Sequence, residues 1–343
     1  MKIGVMTGGG DCPGLNAVIQ AVVKRATDYK YEVVGFLDGY TGLINGDTKP
    51  LTLENVRDIY QDGGTILGSS RNNPFDKEEE PGKVMETLKK FNIDAMIIIG
   101  GDDTLGAAKK LSDMGVNVVG VPKTIDNDLA STDYCIGFQT AVATAAEEIA
   151  RLQTTAKSHD RVLIAEVMGR HAGWLTLMAG LAGGAHIILV PEKDFDINSV
   201  CKTIKKRDKK GETYTVIAVA EGAKPKNIDD LVTVSKEKDE FGNVRLGGIA
   251  EVLEKEIEKR TGKTTRSVVL GHVQRGGPPV AFDIDFGIQL GVAAVDLVKK
   301  GKFDNAVVLK GNKIVTVKLE KVVEKNRKLR KDLLKFTDFF SMM

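Results

Sequence analysis

The stretch "DAMIIIGGDDTL", residues 94–105, constrains the fold more than any other part of the chain. A strand with one wet face alternates apolar and polar side chains. One that is apolar throughout is covered on both faces, as in a parallel sheet with helices above and below. Similar runs recur as "MKIGVMT", "YEVVGFL", "VNVVGVP", "RVLIAEVMG", "AHIILVPE", "YTVIAVAEG" and "TRSVVLGHV". "GLNAVIQAVVKRATD" and "TLGAAKKLSDMG" lie between such runs and carry apolar residues at helical spacing. Strand and helix patterns that alternate in this way predict an α/β chain with parallel sheets. Glycine recurs at the C-terminal ends of the strands, the edge where open α/β sheets bind ligands.

With 343 residues the chain is long enough for two domains. A net charge of +2 leaves no global basic surface for nucleic acid. No apolar run is long enough to predict a transmembrane helix, and "MKIGVMTGGG" enters a strand-like run without a signal-peptide pattern. The cysteines Cys12, Cys135 and Cys201 are far apart and form no CxxC, which predicts reduced thiols and a cytoplasmic location. The four histidines lack metal-ligand spacing. Three polar segments break the rhythm. "DKEEEPGK" reads as a solvated loop, "KPKNIDDLVTVSKEKDEFGNVRLGG" as a surface hairpin turning at "DEFGN", and "KNRKLRKDLLKFTDFF" as a basic helix.

The glycine loop "GGGDCPGLN" opens a helix, so its N–H groups and the helix dipole can hold an anion. It is not a dinucleotide fingerprint, because Gly8-x-Gly10-x-x reaches Pro13. "TGKTTR" is not a P-loop end, since the first glycine of that motif would be Ile257. Further segments add charge: Arg71 follows a glycine-rich turn in "GGTILGSSR", and strand ends carry Lys123, Thr124, Asp126 and Asp128 in "PKTIDNDL", Arg170 in "EVMGRHAG", and His272 and Arg275 in "GHVQRGGPP". Guanidinium groups and helix N-termini suit phosphorylated ligands, and carboxylates beside them suit Mg²⁺ held partly by phosphate oxygens. The combination points to phosphoryl transfer.

"GGDCPGLN", "GGTILGSSR", "GGDDT", "PKTIDND", "EVMGR" and "GHVQRGG" resemble the motif set of the phosphofructokinase family, in the same order and over residues 1 to about 310. The resemblance implies two Rossmann-like three-layer αβα domains with the active site in the cleft between them. The first would take residues 1–137 and a return near 274–310, and would hold the phosphoryl donor and magnesium. The second would take 138–273 and bind fructose 6-phosphate, leaving 311–343 as a C-terminal segment. The polar block at 223–247 is absent from compact bacterial ATP-dependent members and resembles a longer subgroup.

By the same resemblance, Asp126 would be the base that takes the proton from the C1 hydroxyl of fructose 6-phosphate. Thr124 and Asp128 would position substrate and base. Arg170 would stabilise the transferring phosphoryl, and Asp102 would bind Mg²⁺. Met168, Gly169, Glu221, His272 and Arg275 would hold the sugar phosphate. Arg161 and Arg266 match positions that reach a neighbouring subunit's site, which implies a homodimer or homotetramer. Gly9, Gly10 and Arg71 would line the donor site.

Two further positions separate the donors. ATP-dependent members carry glycine where this chain has Asp103, and commonly glycine where it has Lys123. Glycine lets the backbone approach a nucleotide's α-phosphate. Aspartate there sets like charges against one another, at a cost of about 4 kcal/mol at roughly 4 Å in an intermediate dielectric before relaxation. The pair resembles the pyrophosphate-dependent branch, which implies reversible transfer from pyrophosphate to fructose 6-phosphate in glycolysis and gluconeogenesis. An ATP-dependent phosphofructokinase and a non-catalytic sugar-phosphate sensor are the alternatives. Finally, positions that hold a phosphorylated effector in bacterial ATP-dependent relatives are here Gln20, Lys24, His186 and Glu212, with Lys210 kept. That pattern implies an enzyme without allosteric response.

Overall fold

A computed structural model of the chain describes residues 1–226 and 248–339. The polar block expected to form a hairpin therefore lies, from residue 227 to 247, outside the described residues. The chain divides into two compact units. One comprises Met1–Ile125, Leu129–Thr140 and Arg275–Asn326, and the other comprises Asp126–Asp128, Ala141–Gln274 and the segment from Arg327 onward.

The first unit opens with strand β1 (Lys2–Thr7), helix α1 (Leu15–Asp28), β2 (Glu32–Phe36), α2 (Tyr40–Asn45) and β3 (Thr48–Leu51). It continues through α3 (Glu80–Lys90), β4 (Ala95–Gly100), α4 (Asp102–Asp113) and β5 (Val118–Pro122). Helix α5 (Phe138–Ser158) carries the chain into the second unit. That unit holds β6 (Val162–Val167), α6 (Trp174–Ala182), β7 (Ile187–Leu189), α7 (Ile197–Lys209), β8 (Thr215–Ala220), α8 (Ile249–Thr261) and β9 (Thr265–Val269). The chain then returns through α9 (Ala281–Lys299), β10 (Asn305–Lys310), β11 (Lys313–Lys318) and α10 (Leu319–Val323).

The first unit has a seven-stranded sheet in the order β11-β10-β5-β4-β1-β2-β3. Its interior pairs are parallel, while the edge pairs β2–β3 and β10–β11 are antiparallel. Every residue of β4 is buried, as its unbroken apolar run requires. The second unit has a parallel four-stranded sheet, β7-β8-β6-β9. Its β6 and β8 are buried throughout, whereas β9 is an edge strand that leaves Val268 at 40% and Val269 at 54% exposure. The expectation that each apolar run is covered on both faces therefore fails for β9.

Two of the polar segments also differ from expectation. The end of "DKEEEPGK" is not a loop, because α3 starts at Glu80 with Pro81 in its first turn. There the fixed φ of proline costs nothing and a carboxylate meets the positive end of the dipole. The basic tail is not a helix beyond a single 3₁₀ turn at Leu334–Asp338. Nor does the segment after 310 stand apart, since β11 and α10 belong to the first unit and residues from Arg327 to the second.

Helices α1 and α9 meet across two glycines one turn apart. A Cβ on Gly291 would lie 2.6 Å from the Val18 carbonyl oxygen and 2.7 Å from the Ala21 Cβ, and one on Gly287 would lie 3.0 Å from the Gly14 oxygen. Asp283, fully buried at the start of α9, accepts the N–H groups of Gly137 and Thr140 at 3.0 and 2.8 Å and so caps the start of α5. Burial raises its pKa above the ordinary carboxylate range. The close helix contact predicts that Gly291→Leu destabilises the protein by about 1–3 kcal/mol, as overpacking does. Urea unfolding checks this, and an unchanged midpoint would show that the helices separate freely.

Candidate active site

In the first unit, β1 ends at Thr7 and the glycine loop begins, its backbone held from several sides. The N–H of Gly8 donates to the Ile99 carbonyl at the end of β4 (2.9 Å), and that of Gly9 donates to the Ser70 carbonyl (2.8 Å). The Ser69 hydroxyl donates to the Gly9 carbonyl, and the Thr7 hydroxyl donates to that of Gly68 at 2.7 Å. The segment that leads into Arg71 is thus joined directly to the loop of Gly9 and Gly10.

Lys123, the residue after β5, is 2% exposed. Its ammonium donates to the Gly8 carbonyl at 2.8 Å and also to the Gly10 carbonyl. A buried ammonium needs such acceptors, because a charge without them is strongly penalised in a low dielectric. The backbone N–H of Lys123 donates to the Gly100 carbonyl (2.9 Å), which sets the residue beside the turn Gly100–Gly101 where α4 begins. Asp102 is half-buried and Asp103 exposed, both in the first turn of that helix. Adjacent carboxylates are tolerated there because four N–H groups and the positive end of the helix dipole face them.

Arg275, expected among the sugar-phosphate ligands, lies in the first unit against the same glycine loop. A Cβ on Gly10 would sit 1.6 Å from its Nη1, so only glycine leaves room for this guanidinium. Its Nε is buried and has no hydrogen-bond acceptor among the described residues. An orphaned cationic donor beside a glycine loop is the kind of group an incoming phosphate satisfies. Cys12, buried below the loop, is inert: burial pushes its thiol up to about 12.

The second unit gathers another set. Asp126, Asn127 and Asp128 are buried, at 7%, 1% and 5% exposure. At the end of β6, the N–H groups of Gly169 and Arg170 both donate to Oε1 of Glu221, at 3.1 and 2.8 Å. Gly169 has φ +143° and Arg170 φ +50°, so this turn is held in a conformation that a free chain avoids. Burial pushes the Glu221 carboxyl up to about 7, the two N–H groups pull against it, and the charge of Asp126 raises it further. Asp126 and Glu221 therefore share one electrostatic environment. The backbone N–H of Met168 faces the side-chain oxygen of Gln274 at 3.4 Å. His272 is exposed in the 3₁₀ turn Gly271–Arg275.

Arg161 and Arg266 do not join this group. Arg161 immediately precedes β6, whereas Met168–Arg170 follow it, and a six-residue strand rises roughly 20 Å. Arg266, in β9, is registered opposite Leu163. Both arginines line a groove of about 240 Å³ with Leu152, Leu163 and Val268. Arg266 pairs with Glu258 at 3.2 Å.

Sequence reasoning missed Glu166, the buried carboxylate of β6 that accepts the N–H groups of Gly248 and Ala250 at 3.1 and 3.0 Å. It caps the start of α8, which lies more than 80 residues away, so no local pattern announces it. The sites proposed for a phosphorylated effector hold structural contacts here. The Gln20 side chain is buried and donates to the Val56 carbonyl at 2.9 Å and to that of Arg57. His186 accepts the Val216 N–H through Nδ1 (2.9 Å), and burial, followed by the Arg207 charge, lowers its pKa to about 4. Glu212 pairs with the buried Arg207 at 2.6 Å.

Comparison with known proteins accounts for the chain as a whole. The family model for phosphofructokinase matches residues 2–298. A pyrophosphate–fructose 6-phosphate 1-phosphotransferase of Amycolatopsis mediterranei is 54% identical over 320 residues, 93% of either chain. An ATP-dependent 6-phosphofructokinase 2 of Clostridium perfringens is 49% identical, over 94% of this chain and 92% of that one. The crystal structure of a pyrophosphate-dependent phosphofructokinase from Nitrosospira multiformis superposes with a TM-score of 0.85 over 98% of this chain and 90% of its own, at 22% identity, which bears on the fold alone. Both the family model and the relatives span most of the sequence, and the chain belongs to the phosphofructokinase family.

Proposed function

We propose that the chain transfers a phosphoryl group from pyrophosphate to the C1 hydroxyl of fructose 6-phosphate, giving fructose 1,6-bisphosphate and phosphate. Overall identity points the same way, though narrowly: 54% to a relative named for pyrophosphate against 49% to one named for ATP. The observation that carries the choice is local. Lys123 fixes its ammonium beneath Gly8 and Gly10, and Asp103 stands exposed at the first turn of α4 beside them. A cation under the loop favours a compact, highly charged donor, while the Asp103 carboxylate opposes the α-phosphate of a nucleotide. Wild type is expected to use pyrophosphate far better than ATP. Asp103→Gly combined with Lys123→Gly should raise ATP use and lower pyrophosphate use. Initial rates with each donor check this, and an unchanged donor ratio would remove both residues from that role.

Asp126 would take the proton of the C1 hydroxyl. A carboxylate suffices because the transition state is loose and the hydroxyl loses its proton late. Thr124 and Asp128 would orient the base and substrate, and Arg170 would meet charge on the transferring phosphoryl. Met168, Gly169, Glu221 and His272 would bind the sugar phosphate. Arg275, whose Nη1 lies against Gly10 and whose buried Nε has no acceptor among the described residues, would serve the phosphoryl being transferred, together with Arg71. The residues fit magnesium. Asp102 offers a half-buried carboxylate, and among the described residues no group of three or more His, Cys, Asp or Glu could cage a metal alone. That donor set suits a cation held by one or two carboxylates and the phosphates themselves. When bound, magnesium would neutralise charge on the donor.

The placement of Arg161 and Arg266 supports a homo-oligomer, dimer or tetramer. They lie near the end of the sheet opposite the chain's own Met168–Arg170 turn, in a groove with the exposed Val268. Exposed apolar residues ringed by arginine suit an interface, through which these guanidiniums would reach a neighbour's substrate. Asp126→Ser should lower turnover roughly 10²–10⁴-fold, and Arg161→Ala should raise KM for the sugar phosphate. Mixed under subunit exchange, the two impaired proteins should recover activity at low fructose 6-phosphate; no recovery in demonstrably mixed oligomers would show that each subunit builds its own site.

The effector positions support an enzyme without allosteric response. Gln20 and Glu212 are occupied by internal contacts, and Glu212 would repel an anion. Saturation curves in fructose 6-phosphate should be hyperbolic. Sigmoidal curves straightened by millimolar ADP would overturn this assignment. Three buried cysteines with no disulfide support a reducing compartment such as the cytoplasm.

A further inference from the structure

We infer that Arg327 is a positioning residue for the reaction, clamping the Asp126–Asp128 loop to the turn that carries Arg170. The family match ends at residue 298, so Arg327 lies beyond it. Its backbone N–H donates to the Asp128 carbonyl. Its guanidinium donates through Nε and Nη2 to the Asn127 carbonyl, at 3.3 and 3.0 Å. The guanidinium carbon lies 4.4 Å from the centre of the Trp174 ring, and the Trp174 indole N–H donates to the Arg327 carbonyl at 3.2 Å. Trp174 is the first residue of α6, four positions after Arg170.

One side chain thus touches both elements expected to do chemistry. Asn127 has φ +54°, a left-handed conformation that asparagine tolerates but does not prefer strongly. Its carbonyl direction fixes the peptide planes on either side of it, and Asp126 is the residue immediately before. A forked donor on that carbonyl, stacked on an indole, restrains the loop in a way a lysine would not, because lysine is a point charge without a plane. The strap is anchored beyond Arg327 as well. The N–H of Leu329 donates to Oε1 of Glu192 at 2.9 Å, and Glu192 also accepts the Gly173 N–H at 3.0 Å, at the start of α6. Lys193 pairs with Asp338 at 2.7 Å. The contacts of Arg327 with the Asn127 and Asp128 carbonyls place its effect on the loop that carries Asp126.

The inference rests on the reading of Asp126 as the base, and its test separates the two. In the full-length protein, Arg327→Ala should lower kcat about 10- to 100-fold, the loss expected from a slight misplacement of a catalytic group. KM for pyrophosphate should change less than about twofold, since the donor loop is built in the first unit. Arg327→Lys should recover only part of the loss, and millimolar guanidinium ion should raise kcat of the Ala variant without affecting wild type. Amide hydrogen exchange over residues 124–129 should quicken in both variants and stay unchanged in β10. Should Arg327→Ala fail to fold, the same exchange and kcat measurements on Arg327→Lys decide the matter. A kcat within twofold of wild type in a folded Ala variant, or unchanged exchange over 124–129 in both, overturns the clamp. A wild type inactive with pyrophosphate and fructose 6-phosphate would instead refute the proposed reaction, with the exchange result still testing the clamp.

Discussion

A buried ammonium with two carbonyl ligands organises the first unit. Lys123 sits at the end of β5 but bonds the loop after β1, more than 110 residues earlier in the chain. An ammonium so enclosed is stable only while its acceptors stay in place, and breaking such an arrangement leaves an uncompensated charge. The geometry of the glycine loop is therefore fixed by the lysine as much as by the glycines. The other contacts, Gly8 to Ile99, Gly9 to Ser70 and Arg275 over Gly10, build outward from that arrangement. Because each peptide unit is planar and trans, a carbonyl turned toward the ammonium turns the following N–H the opposite way. One residue thereby sets the polarity of the whole loop.

The second unit holds its turn with a carboxylate instead. Its turn at Gly169–Arg170 is strained, and the Glu221 carboxylate compensates by accepting two consecutive N–H groups. Burial makes that carboxylate harder to ionise, and proximity to Asp126 adds to the effect. The position of the turn and the charge state of Glu221 are thus coupled, and whatever occupies the space near Asp126 acts on both. Perturbed carboxyls with charged neighbours concentrate where chemistry is done, and this pair is consistent with that tendency.

Much of the first unit was legible in the sequence. The unbroken apolar run that became β4 could be buried only between helices, and glycine at its end marked the turn into α4. The strand runs from "MKIGVMT" to "TRSVVLGHV" all became strands of parallel-rich sheets. What failed did so for identifiable reasons. "TRSVVLGHV" reads like its neighbours, yet β9 is an edge strand, and a strand's place in a sheet is not written in its own residues. "DKEEEPGK" reads as solvated because its charges outnumber its apolar residues, although proline in a first turn starts a helix. The tail's basic periodicity suggested a helix, but Arg327 and Leu329 spend their N–H groups on residues 128 and 192 instead of on a helical turn.

The sequence by itself determined the fold class, the family and the residue types at each strand end. These follow from local patterning, from glycines that turns require, and from motifs in a fixed order. Tertiary structure alone decided which of those residues share a site. Arg275 and Lys123 lie on the same loop although 152 positions separate them in number. Arg161 stands a strand's length from the turn it shares a strand with, and Glu166 caps a helix more than 80 residues away. Hydrogen bonds and burial act through space within a few ångströms, whereas sequence patterns register only neighbours along the chain, so long-range partners emerge only once the sheets have formed.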